Sequence, residues 1–213
     1  MSTATRLALG RASADELRLR LSLAGESFVS GDEAREALIE AYEDAACRLL
    51  AGDWISAENE SFLASYVAEL NLSDAECNRN GTQERIRMSA QLRQIATEPA
   101  TLNDWRSTLG SLPLRLSDPD ERVVWAFRTV RVEFGSTQMR ESDSGRLVMT
   151  NRRLYFAGRE GSHQSTLGRI HTLRREYDGF AIHTGASAKA YSFRSDVNGW
   201  FAWKLINLLV KMK

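Results

Sequence analysis

Gly145-Arg146-Leu147-Val148-Met149-Thr150-Asn151-Arg152-Arg153-Leu154-Tyr155-Phe156-Ala157-Gly158 reads as two short strands hinged at Thr150-Asn151, with a glycine at either end. Leu147 and Met149 alternate with Arg146 and Val148, and Leu154 and Phe156 alternate with Arg153 and Tyr155. A period of two puts one set on a buried face. Upstream, Val123 to Phe134 is rich in β-branched and aromatic residues, as a strand requires. Gly135 to Ser144 is polar, a loop or an edge hairpin. Downstream, His163 to Leu173 predicts another strand with Leu167, Ile170 and Leu173 as inward anchors. Asp178-Gly179 is a turn, Phe180 to Thr184 alternates, and Lys189 to Arg194 closes the set.

The chain ends in an amphipathic helix from Asp196 to Lys213. Asp196 is placed to cap it, and Val197, Trp200, Phe201, Leu205, Leu208 and Leu209 fall on one side. A strongly twisted antiparallel sheet leaves one open end, which such a helix plugs.

The first half has helical periodicity instead. Ser30 to Ala51 carries apolar or small residues at Ala34, Ala37, Leu38, Ala41, Tyr42, Ala45 and Leu49. A second helix follows Ser56, with Phe62, Leu63, Tyr66, Val67 and Leu70 on one face. Ser73 and Glu76 have capping-box spacing, and Thr82 to Thr97 forms a fourth segment stopped by Pro99. Residues 1–29 mix a capping box, Ser13 to Glu16, with strict Leu alternation from Leu17 to Leu23, and lean to helix. The stretch from Thr97 to Asp120 contains all three prolines, which places a boundary near Leu112 between a helical domain, 1–110, and a sheet domain, 111–213. The expected class is α+β: a small helical bundle followed by a twisted antiparallel sheet, a partly open barrel, capped by the terminal helix.

Charge divides the same way. Residues 1–110 carry eleven Arg and no Lys against eighteen Asp and Glu, while residues 111–213 carry seventeen Lys and Arg against ten Asp and Glu. An acidic module beside a basic one suits docking to a protein partner or to another copy of itself. Cys47 and Cys77 have no second pair, so neither a zinc set nor a disulfide framework is expected. No uncharged run approaches the ~20 residues that cross a bilayer, and no apolar leader opens the chain; a cytoplasmic protein is expected.

About ninety residues of the second half resemble bacterial pleckstrin-homology (PH) and GRAM-like domains. The likeness rests on Arg122-Val123-Val124-Trp125-x-Phe127 and on Gly145-x-Leu147-x-x-Thr150-Asn151 with Leu154-Tyr155-Phe156-x-Gly158. It continues through Ile170, Tyr177-Asp178-Gly179 and Asn198-Gly199-Trp200-Phe201. It implies a binding scaffold rather than an enzyme. Asp53-Trp54-Ile55-Ser56-x-Glu58-x-Glu60 is similar to the helix–helix turn of TerB-like domains, with Trp54 and Asn59 departing from that pattern. As a calcium loop it fails, since Ile55 stands at a ligand position and no Gly follows. The residues themselves read as a helix corner, with Ser56 capping and Glu58 favouring the helix dipole.

No nucleophile elbow, Walker loop, dinucleotide fingerprint or paired metal histidines appear. No catalytic residue, cofactor or metal is assigned, and an enzyme using His163, His171 or His183 is the remaining alternative. The basic residues of the sheet half are the lead. Arg128, Arg131 and Arg140 flank the first hairpin, and Arg152, Arg153, Arg159, Arg174 and Arg175 cluster near turns; of these, Arg128, Arg131, Arg140, Arg152, Arg174 and Arg175 are the six candidate partner- or anion-binding residues. Protein carboxylates come first as partners and anionic lipid headgroups second, because the Lys and Arg spacing of lipid-binding PH domains is absent. Nucleic acid ranks third, since the aromatics fit core positions.

Overall fold

The computed structural model describes residues 30–98, 114–116, 118–135, 140–185 and 188–212, apart from the Arg140 side chain. The chain divides into two compact units, Met1–Arg93 and Gln94–Lys213. The expectations for residues 1–29 and for a boundary near Leu112 fall outside the described residues.

In the helical unit, α1 spans Gly31–Leu49 and starts at Ser30. The Ser30 hydroxyl accepts from Glu33 N at 3.2 Å, and the Glu33 carboxylate accepts from Ser30 N at 2.9 Å. Two donors that the first turn leaves orphaned are thereby satisfied. Its buried face is Leu38, Ile39, Ala41, Tyr42, Ala45 and Ala46. Helix α2, Ala57–Glu69, buries Leu63 and Tyr66. Tyr66 stacks on Tyr42 with centroids 6.0 Å apart and donates to Leu38 O at 3.3 Å. Desolvation raises both phenols' pKa values. The capping box at Ser73 forms, but its helix α3 is one turn, Asp74–Cys77. Helix α4, Thr82–Thr97, has the expected bounds and buries Ile86, Ser89, Leu92 and Ile95.

Ser89 explains a polar residue in an apolar stripe: its hydroxyl accepts from Ile55 N at 2.7 Å. Ser56 caps α2 through Asn59 N at 3.1 Å, and Arg93 donates to Ile55 O and to Glu60, both at 2.8 Å. The Asp53–Glu60 segment is thus a helix–helix corner with each of these polar groups used inside the unit.

The sheet unit has seven antiparallel strands in the order β4-β3-β2-β1-β7-β6-β5, curled into a half-barrel. They are β1 Val123–Gly135, β2 Arg140–Thr150, β3 Arg153–Gly158, β4 Ser162–Thr166, β5 Thr172–Glu176, β6 Gly179–His183 and β7 Ala188–Phe193. Most of the polar stretch before Gly145 is strand, with Ser144 opposite Arg131 and Ser142 opposite Glu133, so the edge-hairpin alternative describes it.

The single strand expected from His163 to Leu173 is two, β4 and β5, divided by a 3-10 turn at Leu167–Arg169. β4 and β5 lie at opposite ends of the strand order, so the chain must cross between them. Leu167 is fully buried in that crossing, while Ile170 and Leu173 are half-buried.

The terminal helix α5, Asp196–Lys211, is capped by Ser195, which accepts from Asn198 N; Asp196 is in its first turn rather than at the cap. All six expected apolar positions are buried. α5 packs on β6 and β7. Phe201 meets the Trp125 ring edge-on at 4.8 Å, and Phe127 meets Phe193 at 4.9 Å, a geometry favoured by aromatic quadrupoles.

Candidate functional site

Thr150-Asn151 is a structural joint. The Thr150 hydroxyl donates to Glu121 Oε1 at 2.9 Å and accepts from Arg153 N at 2.9 Å. Asn151 Oδ1 accepts from Arg122 N at 2.8 Å, and its amide donates to Asp120 O at 3.0 Å. Arg153 holds Glu121, which is buried, at 2.8 Å. One turn therefore pins the segment that enters β1, with the buried charge paired and hydrogen-bonded.

The outward face of the sheet carries the site. Phe127 pairs with Leu147 and Val130 with Gly145, so Arg128 and Thr129 together oppose Arg146: a β-bulge. By alternation Arg146 shares a face with Ser144 and Val148, and its partner on β3 is Ala157. Val148 packs there with Val123, Ala126 and Tyr155, with Leu114 and Ala157 against them. β7 pairs with β1 up to Phe193–Val130, which brings Arg194 beside the bulge. The turn after β3 supplies Arg159.

That turn is built by Asp143. Its carboxylate accepts from Ser144 N at 2.7 Å and from Arg159 N and Glu160 N at 3.1 Å each. Burial pushes the Asp143 carboxyl up, but these N–H groups and nearby His163 outweigh it and hold its pKa below the ordinary value. The two glycines that end the hairpin, Gly145 on β2 and Gly158 on β3, face each other beside this turn. A Cβ on Gly158 would overlap the Asp143 carboxylate, and one on Gly145 would overlap Ala157 O.

The result is a cleft of about 710 Å³ lined by Arg128, Arg146, Arg159 and Arg194, by the hydroxyl residues Thr129, Ser144, Ser162 and Tyr155, and by Ala157 and three glycines. Among the described residues, no carboxylate lines it. A second cavity of about 320 Å³, lined by Leu114, Arg115, Arg153, His163 and Gln164, shares Tyr155 and Ser162 with the first.

Of the five expected residues whose side chains are described, only Arg128 lines this cleft. Arg131 lies 3.4 Å from Glu133, Arg152 lies 3.4 Å from Asp118, and Arg174 lies 2.7 Å from Glu176. Arg174 also lines a separate cavity of about 490 Å³ that holds Glu133, Glu176, Asp178 and Lys189, so its charge is mixed. Arg175 is exposed on β5 opposite Phe180. Arg140 opens β2 opposite Gly135, and its side chain is outside the described residues. The partners Arg146, Arg159 and Arg194 were not among the six. Arg146 was readable as the outward residue beside Gly145, and Arg194 as the last residue before the helix.

The histidines are dispersed. His163 packs on Phe134 at 4.5 Å, and His171 and His183 are exposed on neighbouring strands, with His171 N donating to His183 O at 2.9 Å. The Lys189 ammonium donates from β7 to Ser165 Oγ at 3.2 Å on β4, and burial lowers its pKa. Cys77 is buried and Cys47 exposed, both as free thiols.

No family model matches the chain, and no curated protein matches it. Solved structures do. The chain is similar to the N-terminal PH domain of Vps36 at 14% identity, with a TM-score of 0.37, over 49% of this chain and 90% of that one. It is also similar to a Vav1 exchange-factor structure described for its PH and C1 domains, at 13% identity and a TM-score of 0.37, over 98% of this chain and 59% of that one. A third is the complex of PDZ-RhoGEF DH/PH domains with activated RhoA, at 13% identity and a TM-score of 0.31, over 98% of this chain and 68% of that one. The sheet unit is PH-like in fold. Its own strand order, curl and capping helix carry that statement.

Proposed function

We propose that the chain is a non-catalytic interaction protein whose PH-like unit docks the acidic surface of a protein partner through the arginine cleft. One observation carries the reading. Among the described residues, four arginines contributed by β1, β2, the β3–β4 turn and the end of β7 line one cleft. Arg is the residue suited to planar, two-point recognition of oxyanions. The arginines project from strands and from a turn tied by Asp143, so the ordering cost at binding is confined to their side chains. Among the described residues the exposed large apolar side chains are Phe62, Leu116, Tyr177 and Met212, and none lines the cleft. A membrane-inserting surface would place such residues beside the basic ones, which favours the protein-partner reading over anionic lipid.

The acidic helical half of another copy is one partner of the right charge. A GRAM-like and TerB-like lineage, an adaptor role and a cytoplasmic setting complete the proposal, and the motifs quoted for the resemblance support it.

A fluorescein-labelled poly-glutamate peptide tests the reading by anisotropy. Binding should weaken with salt and should be lost in Arg128→Glu/Arg194→Glu. Equal binding by that variant refutes the assignment of the cleft.

A further inference from the structure

We propose that the open edge of the sheet at β5 is a second binding surface, which takes an extended segment of a partner protein as an added strand. It shares neither Leu173 nor Arg175, its central residues, with the arginine cleft. The strand order ends at β5, which pairs with β6 on one side only. Backbone alternation identifies the groups left over. Phe193 N donates to Asp178 O at 2.9 Å, so Phe180 and Ile182 turn their backbone groups to β7, and Gly179, Ala181 and His183 turn theirs to β5. Thr172, Arg174 and Glu176 answer from β5. The N–H and C=O of Leu173 and Arg175 therefore point away from the sheet, and these four groups have no hydrogen-bond partner among the described residues.

The other edge is built differently. Leu167 N donates to Arg152 O and Gly158 N to Gly161 O, which by the same alternation puts Gln164 O on the outer side of β4. There the Lys189 ammonium, reaching over from β7, donates to it at 3.4 Å and to Ser165 Oγ at 3.2 Å. A side chain bridges the β4 edge, and among the described residues none bridges the β5 edge. An unpaired edge is the template for strand addition, in which main-chain bonds supply affinity and alternate side chains supply choice.

Those side chains set the partner's chemistry. Leu173 lies opposite Ile182 and Arg175 opposite Phe180, both fully buried, so residues of an added strand that face Leu173 and Arg175 lie on the inner face. Leu173 is half-buried and takes an apolar neighbour. Arg175 is exposed, its guanidinium has no ion pair or hydrogen bond among the described residues, and it takes a carboxylate. In the antiparallel sense of the rest of the sheet, the partner reads Asp or Glu, any residue, then an apolar residue. The β5 strand of a second copy does not meet that pattern. Pairing about Arg174 or Arg175 sets like charges opposite each other, and pairing about Leu173 sets Arg175 opposite His171.

The test uses the full chain and short fluorescein-labelled peptide libraries with Glu-Thr-Ile at the centre and random flanks, read by anisotropy. Matched libraries carry Lys in place of Glu, N-methyl groups on Glu and Ile, or an N-methyl group on Thr. The Glu library should bind about tenfold more tightly than the Lys library. N-methylation of Glu and Ile, whose N–H groups meet the edge, should abolish binding, while N-methylation of Thr, whose N–H points outward, should not. Arg175→Glu should reverse the preference with a melting curve like wild type, and amide exchange at Leu173 and Arg175 should slow when the Glu library binds. Arg128→Glu/Arg194→Glu should bind the Glu library like wild type. Loss of binding in that variant would place these peptides in the cleft, overturning the edge inference and leaving the cleft reading standing. Binding by the library N-methylated on Glu and Ile, an unchanged preference in Arg175→Glu, or no binding by any library would also overturn it.

Discussion

Phe201→Ala should cost the sheet unit a large part of its stability. Phe201 has no exposed surface, and its ring lies 4.8 Å from Trp125 and 6.1 Å from Phe127. Truncating a buried Phe to Ala typically costs ~3–5 kcal/mol, through lost transfer energy and the cavity left behind. The site is enclosed by aromatic rings on rigid strands, so it collapses poorly, and about 4 kcal/mol is a fair expectation. That is a large share of the ~5–15 kcal/mol that holds a domain together. At ~4–8 °C per kcal/mol for a unit of this size, Tm falls by roughly 15–30 °C. Near-ultraviolet circular dichroism is the suitable probe, because Trp125, Trp200 and Trp203 all lie in this unit. Trp200→Ala should be milder, since the Trp200 ring retains 9% exposure and lies 5.8 Å from the Lys204 ammonium. A Phe201→Ala chain that melts within a few degrees of wild type, yet no longer binds its partner, refutes the reasoning and makes α5 a recognition surface.

Further outcomes follow from the polar joints. The Arg35 guanidinium, with help from Ser73, holds the Glu76 carboxyl at about 2 against an ordinary 4.5. The folded value is the lower one, so this contribution is complete above about 4.5 and is lost as pH falls toward 2. The urea midpoint of the helical unit should fall across that window, and Glu76→Gln should lack that part of the fall; identical profiles contradict it. Gly158→Val should break the β3–β4 turn against Asp143, lowering both thermal stability and anion affinity, whereas unchanged affinity would separate the turn from the cleft. Thr150→Val removes a donor from buried Glu121 and should cost ~1–3 kcal/mol in urea unfolding; a change within error would mean that the carboxylate's other partners, Arg153 among them, satisfy it.

Local signals in the sequence were legible. Helix α4 was bounded by Asn80-Gly81 and Pro99, the α5 stripe repeated with helical period, and the Gly145–Gly158 hairpin was legible as two strands, although Val148 and Tyr155, read as the face opposite the buried one, are buried too. Each depends on neighbours within a turn or a strand. The crossing at Leu167–Arg169 was hidden because it exists only where β4 and β5 must reach opposite sheet edges. The cleft was hidden for the same reason. Arg128 and Arg194 meet through β1–β7 pairing, and Arg146 joins them through a bulge that no dipeptide announces. One signal was available and unused. Residues two apart in a strand share a face, so Arg131-x-Glu133 and Arg174-x-Glu176 could be read as arginines with carboxylates beside them.

The central claim is that the arginine cleft on the outer face of the PH-like sheet is where the partner's anion sits. Amide chemical-shift mapping of the full chain, titrated with phenyl phosphate, tests it most directly. The account predicts salt-sensitive shifts concentrated at Arg128, Thr129, Ser144, Gly145, Arg146, Arg159, Gly161, Ser162 and Arg194. Shifts centred instead on Phe134, His163 and Lys189, or scattered evenly over both units, would contradict it.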